Sequence, residues 1–359
     1  MHQALVEAVK AAAADGRALR IRGGGSKDFY GHSLEGEVLD TRAISGIVAH
    51  DPSELVITVR AGTSLMEVEG ALAAAGQMLP FEPPHFGPGA TIGGAVAAGL
   101  AGPRRAATNG YYGAIRDFVL GVKLLDGRGE VLSFGGQVMK NVAGYDVSRM
   151  VAGSLGILGV ILEVSLKVLP RPVATRTLKL SIRDQASALE KLNAWGGMPL
   201  PLTASAWHDG DLALRFEGAQ AAVESAARKL GGESVEPLVA ARFWNGVREQ
   251  TGPFFAGDSP LWRLSVPSTT IPLDLPGRQF IEWGGALRWL ASDAPADVIR
   301  TAALRAGGHA TLFRAAVALK NAAGVFTPLD PVLARIQARL KNTFDPEHVF
   351  NRGRVYPDL

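Results

Sequence analysis

Apolar positions recur with helical spacing at the start of the chain. Leu5, Val6, Val9 and Ala13 fall on one face of a run over residues 2–14, which Gly16 ends. Residues 19–22 read as a short strand entering a Gly-rich loop, and residues 55–59 as another strand. Ser64-Leu65-Met66-Glu67 has the spacing of a capping box and predicts a helix to Ala75, stopped by Gly76. Asp126-Gly127 separates two β-patterned runs, 118–125 and 131–134, as in a hairpin. Residues 159–169 alternate like a strand, and Pro170 with Pro172 closes the unit.

The rhythm then changes. A strand at 177–182 and a helix at 185–194 are followed by strands at 203–207 and 212–216 about Asp209-Gly210. A helix at 219–230 and a strand at 262–266 complete a β-α-β-β-α-β order, the ferredoxin-like arrangement. Residues 240–250 read as an additional helix and 267–277 as a loop. Strands at 279–283 and 287–291, a helix at 295–306 and a strand at 309–317 follow. A last helix, 329–341, leads to Phe344-Asp345-Pro346. The pattern predicts an α+β protein in three parts: residues 1–172, a smaller cap over 173–317, and a C-terminal segment, 318–359. No repeat of 20–50 residues is visible.

The chain has 359 residues, 47% of them hydrophobic, enough for more than one core. Gly accounts for 43 residues, well above the roughly 7% of an average chain, and has no collagen-like period. The formal net charge of +3 is spread along the chain, which argues against nucleic-acid binding. With no Cys, the chain has no disulfide, thiolate nucleophile or iron–sulfur ligand of its own. Its seven His show no metal-binding spacing, so no metal is expected. No signal peptide and no apolar run long enough to span a membrane are seen, and a cytoplasmic protein is expected.

Two Gly-rich runs stand out, Arg22-Gly23-Gly24-Gly25-Ser26 and the stretch from Pro88 to Gly99. Both offer little but backbone N–H groups, which suit an anion such as a diphosphate. Either run alone reads more readily as a tight turn than as a phosphate site. Together they read as two amide-rich loops holding a dinucleotide from both sides. Neither the Gly-x-Gly-x-x-Gly fingerprint nor a P-loop occurs.

Further short runs fall in a fixed order. They are Arg22 to Ser26, Asp40-Thr41-Arg42, Val59 to Thr63, Thr91-Ile92-Gly93-Gly94, Gly113 to Asp117, Gly144-Tyr145-Asp146 and Gly153 to Gly159. This series resembles the FAD-binding domain of the vanillyl-alcohol oxidase superfamily. The ending Asp345-Pro346 with Asn351-Arg352-Gly353 resembles that family's closing motif, with Arg352 in place of a Pro. Met139 to Asp146 and Pro80-Phe81-Glu82-Pro83-Pro84 are similar to the family of FAD-binding E subunits of bacterial glycolate oxidase (glycolate dehydrogenase) complexes.

The resemblance implies a two-subdomain FAD-binding domain with a cap, and FAD contacts from Arg22, Gly23, Gly24, Gly25, Ser26, Pro88, Ala90, Thr91, Ile92, Gly93, Gly94 and Ala97. Further contacts are implied for Tyr112, Gly113, Gly156, Ile161 and Asn351, with Gly99 and Gly102 beside the flavin ring. Gly153, Gly156 and Gly159 read equally well as a turn packed on the sheet. Ser26 stands where relatives that tether FAD carry a His, which implies non-covalent FAD; His85 is a poor alternative tether. The implied partners are a catalytic flavoprotein subunit and an iron–sulfur subunit, peripheral to the inner membrane through those partners. The implied reaction is oxidation of a small 2-hydroxy acid, glycolate to glyoxylate.

Such an oxidation needs a base, a carboxylate clamp and a path to the flavin. The His-rich motif of related 2-hydroxy-acid dehydrogenases is absent, and catalytic residues are left unassigned. His309 and Arg314 are candidates that read equally as ordinary strand residues; Trp283 and Arg288 are further candidates. Arg104-Arg105 reads as a solvated loop, with a carboxylate clamp or a partner contact as alternatives. A self-sufficient D-lactate-type dehydrogenase and a non-catalytic scaffold remain as alternative functions.

Overall fold

The computed structural model describes residues 2–106, 113–136 and 146–359; of Arg105 and Ala106 only the backbone is described. Helix α1 (Gln3–Ala14) buries Val9 and Ala12. It packs with β1 (Leu19–Arg22), which pairs in parallel with β2 (Glu37–Asp40). Strands β3 (Ile47–Asp51) and β4 (Val56–Arg60) lead to α2 (Leu65–Ala74). Ser64 Oγ accepts the Met66 N–H and starts α2. Leu65, Val68 and Leu72 share its inner face and are wholly buried, each contributing roughly 1.5–3 kcal/mol.

Strand β5 (Gln77–Met78), helix α3 (Ile92–Ala98), β6 (Val119–Leu125), β7 (Val131–Gly135), β8 (Val160–Lys167) and β9 (Leu169–Pro170) complete this part. Its main sheet is antiparallel, in the order β3-β4-β8-β6-β7. Strand β8 is central, and seven of its eight residues are buried, as a strand covered on both faces requires.

The next stretch builds one sheet of eight strands. Its elements are β10 (Ala174–Ser181), α4 (Gln185–Gly196), β11 (Leu202–His208), β12 (Asp211–Gly218), α5 (Gln220–Leu230), β13 (Glu233–Ser234), α6 (Pro237–Glu249), β14 (Leu261–Ser265), β15 (Arg278–Glu282), β16 (Leu287–Ala291), α7 (Ala296–Arg305) and β17 (His309–Arg314). The order is β13-β10-β12-β11-β15-β16-β14-β17. The first half runs fourth-first-third-second; the second half runs second-third-first-fourth. Two ferredoxin-like units are thus joined edge to edge through the antiparallel β11–β15 pair.

The sequence pattern had placed 262–266 as fourth strand of the first unit. The two-residue β13 takes that place, and β14 opens a second unit in which a loop replaces the first crossover helix. A two-residue strand carries too little alternation to be read. Among the described residues, further elements also lack a sequence signal, including β2, β3, β5, α3, and α8 (Val317–Ala323), which ends the expected 309–317 strand early.

The sheet alternates on β12. Leu212, Leu214 and Phe216 face the core under α4 and α5, while Arg215 and Glu217 face the first part of the chain. After α9 (Pro331–Phe344) the chain returns to β1. Leu19 N–H donates to Val349 O at 2.8 Å and Asn351 N–H to Leu19 O at 2.9 Å. The fully buried Lys341 ammonium holds this return, donating to Asp345 Oδ2 (2.6 Å), Ile157 O (2.9 Å) and Phe350 O (2.8 Å).

Candidate functional site

Strand β1 delivers the first glycine run into a cleft walled by Thr91, Gly94, Ala97, Leu155 and Asn351. The fold forces the glycines here. A Cβ on Gly24 would lie 1.5 Å from Gly89 O, one on Gly23 would lie 2.5 Å from Thr91 Oγ1, and Gly25 has φ +74°. Among the described residues, the N–H groups of Gly23, Gly24, Gly25, Ser26 and Lys27 donate to no protein acceptor. A row of half-buried amides without partners is what an anionic ligand would satisfy. The cleft adjoins a hollow of about 240 Å³ that shares Ile21, Arg22, Asp28, Leu34 and Arg354 as walls and adds Arg20. Its walls are rich in cations, and Arg22 is itself paired with Asp28 at 2.7 Å.

The second glycine run departs from the expected loop. It forms α3, capped by Thr91 Oγ1 on the Gly94 N–H at 3.2 Å. Ile92 N–H donates to Thr63 O and Gly93 N–H to Ala61 O, at 2.9 and 2.8 Å. Those amides are therefore spent inside the protein and are not diphosphate donors in this structure. A Cβ on Gly93 would lie 2.6 Å from Ala61 Cβ, so Gly93 serves close packing. Gly94 differs: its Cβ would meet only Thr91 Oγ1, at 3.1 Å, on the cleft side. Seven residues fall short of a helix readable from periodicity.

The other expected cofactor residues divide in the same way. Asn351 lines the cleft, accepts the Ile21 N–H (2.8 Å) and donates to Leu155 O (2.6 Å). Gly156 packs under it, since a Cβ there would sit 2.6 Å from Asn351 Nδ2. Ala90 and Ile161 are buried in the core, and Pro88 is exposed away from the cleft wall. Gly99 caps α3 with φ +65° and presses on Gly153. Gly113 packs on Asp117. Tyr112, with the motif at 139–145, lies outside the described residues.

The catalytic candidates are scattered. His309 is exposed at the start of the edge strand β17. Arg314 lies over the rings of Phe29, Phe86 and Phe313, 5.3–5.8 Å from their centroids. Arg288 is fully buried on the helix-covered face, bonded to Gly285 O (2.6 Å) and Thr270 O (2.8 Å), so it braces the 266–277 loop rather than facing a substrate. Trp283 donates from Nε1 to Gly102 O at 3.0 Å. His85 pairs with Glu69 at 3.1 Å.

Arg104 is not solvated. It is 7% exposed and grips Glu217 with two bonds, of 3.0 and 2.8 Å. It belongs to a four-charge network in the seam between the eight-stranded sheet and the first part of the chain. Arg215 holds Glu82 at 3.0 and 2.9 Å, and Arg104 reaches Glu82 at 3.3 Å. Burial pushes the Glu82 carboxyl up, but Arg215 and Arg104 outweigh it and hold it at about 2. A polar hollow of about 390 Å³ opens beside this network.

Further along the seam lies a pair that no motif marked. Glu282 is 3% exposed and accepts the Trp289 Nε1–H at 2.7 Å. Burial pushes it up to about 8, against the pull of Trp289 and Arg263. Arg263 stacks over Trp283 at 5.2 Å. Both line a small cavity of about 20 Å³, room for about one water, that also touches Gly102, Phe86, Trp289 and Phe313. Strand alternation alone would have sent Arg263 and Glu282 to one face, but not revealed that the face is covered.

The first part of the chain is of the FAD-binding-domain class. Residues 1–135 match the model of a family described as FAD binding domain, so the chain carries such a domain. In structure it is similar to alkyldihydroxyacetonephosphate synthase, with a TM-score of 0.68, 15% identity and coverage of 98% of this chain and 75% of that one.

In sequence it is 49% identical over 357 residues to glycolate oxidase subunit GlcE of Escherichia coli (strain K12), covering 99% of this chain and 98% of that protein. It is 32% identical over 146 residues to glycolate oxidase subunit GlcD of Bacillus subtilis (strain 168), but spans only 29% of it. A mitochondrial cytochrome-type D-lactate dehydrogenase of Arabidopsis thaliana is 32% identical over 148 residues, 40% of this chain and 25% of that one. The chain belongs to the family of glycolate oxidase subunit GlcE. No helix among the described residues is long and apolar enough to cross a membrane.

Proposed function

We propose that this chain is the FAD-binding subunit of a cytoplasmic complex that oxidises glycolate to glyoxylate. The observation that carries the reading is the row of unspent amides at Gly23 to Lys27, in a chain similar to GlcE over its whole length. Gly23, Gly24, Gly25 and Ser26 would hold the FAD diphosphate, with Thr91, Gly94 and Asn351 as the facing wall. Bound FAD supplies the electron acceptor for the hydroxy acid. With Ser26 in the first loop and no Cys in the chain, the cofactor would be dissociable. The absence of Cys also assigns any iron–sulfur relay to a partner subunit, alongside a second, catalytic flavoprotein subunit.

A second reading, a self-contained 2-hydroxy-acid dehydrogenase, is favoured by the Arg263–Glu282 pair. A half-buried guanidinium facing the cavity suits a substrate carboxylate, and a carboxyl that ionises near neutrality suits proton transfer from a hydroxyl. The cavity there has room for a water and not for glycolate, so this reading requires the seam to open.

One experiment separates the readings. The chain is purified alone, its flavin is released by denaturation and identified, and dye-linked glycolate turnover is measured with and without partner subunits. FAD with turnover only in the complex is expected. FAD with turnover alone favours the second reading. A nicotinamide nucleotide would overturn the cofactor assignment, and an empty chain that still restores activity to its partners would overturn it in favour of a scaffold.

A further inference from the structure

We propose that Lys27 is the cationic partner of the cofactor diphosphate and takes up a proton as the cofactor binds. The proposal rests on the FAD reading above. Lys27 follows the glycine run directly and lines the same cleft. Its ammonium touches only neutral groups among the described residues, Ser26 Oγ and His85 O, both at 3.3 Å, and lies 5.7 Å from the Phe86 ring centre. The neighbouring cations are already engaged. Arg22 is paired with Asp28, and Arg354 donates to the carbonyls of His32, Lys27 and Asp28. Arg314 is stacked on Phe86.

The acid whose field reaches Lys27, Glu249, spends its carboxylate on the N–H groups of His85 and Phe86 and on Arg248. His85 in turn faces Glu69. Amides alone direct a diphosphate but do not neutralise it. Among the described residues, Lys27 and Arg354 are the cations of this cleft with no carboxylate in contact, and the Arg354 guanidinium is committed to backbone carbonyls, which leaves the Lys27 ammonium to meet an anion.

Burial pushes the Lys27 ammonium down to about 8, with Glu249 pulling the other way. A dianion arriving beside it favours the charged form, so binding draws a proton from solvent. The diphosphate itself does not change charge between about pH 7 and about pH 9. If the bound ammonium stays protonated through that range, FAD affinity falls about tenfold across it.

The test is titration calorimetry of the flavin-stripped full chain with FAD, in buffers of different ionisation enthalpy near pH 8. The wild type is expected to take up a fraction of a proton, seen as a buffer-dependent heat. Lys27→Arg should bind as tightly without that dependence, because a guanidinium keeps its charge throughout. Lys27→Met should bind more weakly near pH 7 and show no pH dependence. Unchanged affinity and proton uptake in both variants would overturn the role of Lys27 while leaving the cofactor reading intact. A wild-type chain that binds no FAD would overturn both.

Discussion

The two ends of the seam use the same residue types to opposite effect. At one end Glu82, Arg104, Arg215 and Glu217 form mutual bonds beside a polar hollow. At the other, Glu282 and Arg263 line a small pocket with aromatic neighbours and no mutual ion pair among the described residues. Pairing drives Glu82 down to about 2; burial drives Glu282 up to about 8. The first end locks the two parts together. The second keeps a carboxyl poised to change charge, a property associated with sites that do chemistry.

The largest effect should come from breaking the lock. Arg215→Met removes both of the Glu82 bonds to Arg215, leaves Arg104 as its remaining cation, and should cost about 3–5 kcal/mol in denaturant unfolding. If the loss is under about 1 kcal/mol, the network is not a lock. Gly93→Ala should cost about 1–3 kcal/mol, because its Cβ would overlap Ala61. Thermal unfolding measures it, and an unchanged midpoint would show that α3 can shift.

The pH dependence should separate the glutamates. Glu82 has a lowered pKa, so its contribution is present above about 4.5 and lost as pH falls towards 2. Glu282 has a raised pKa, so its contribution is present below about 4.5 and lost as pH rises through 8. Glu82→Gln should therefore flatten the acid limb of stability against pH, and Glu282→Gln the limb between about 4.5 and 8. Matching profiles in the two variants would erase the distinction. The smallest stability change, under about 0.5 kcal/mol, is expected for Gly94→Ala, whose Cβ meets only Thr91 Oγ1, at 3.1 Å, so that a shift of a few tenths of an ångström accommodates it. That variant should still lower FAD retention several-fold; full retention would remove Gly94 from the cofactor wall.

The long amphipathic elements were legible because burial imposes a period. Helix α2 with its Ser64 cap and the β6–β7 hairpin at Asp126-Gly127 fall within a residue or two of the pattern. The glycine runs were legible as composition only. Sequence could not distinguish amides left open, as at Gly23 to Lys27, from amides spent, as at Ile92 and Gly93, because the acceptors Thr63 and Ala61 lie some thirty residues away. Arg215, Glu217 and Glu282 were hidden for a related reason. Polar residues alternating with apolar ones normally mean a solvent face, and here that face is covered by the rest of the chain.

The return of residues 345–354 to β1 has a consequence for synthesis. During translation, Leu19 emerges long before Val349 and Asn351, and the whole eight-stranded sheet is made in between. The cleft wall at Asn351 and the buried Lys341–Asp345 clasp cannot exist until those last residues leave the ribosome. The nascent nucleotide fold therefore stays unfinished, its cleft wall incomplete, until the second part of the chain has been made.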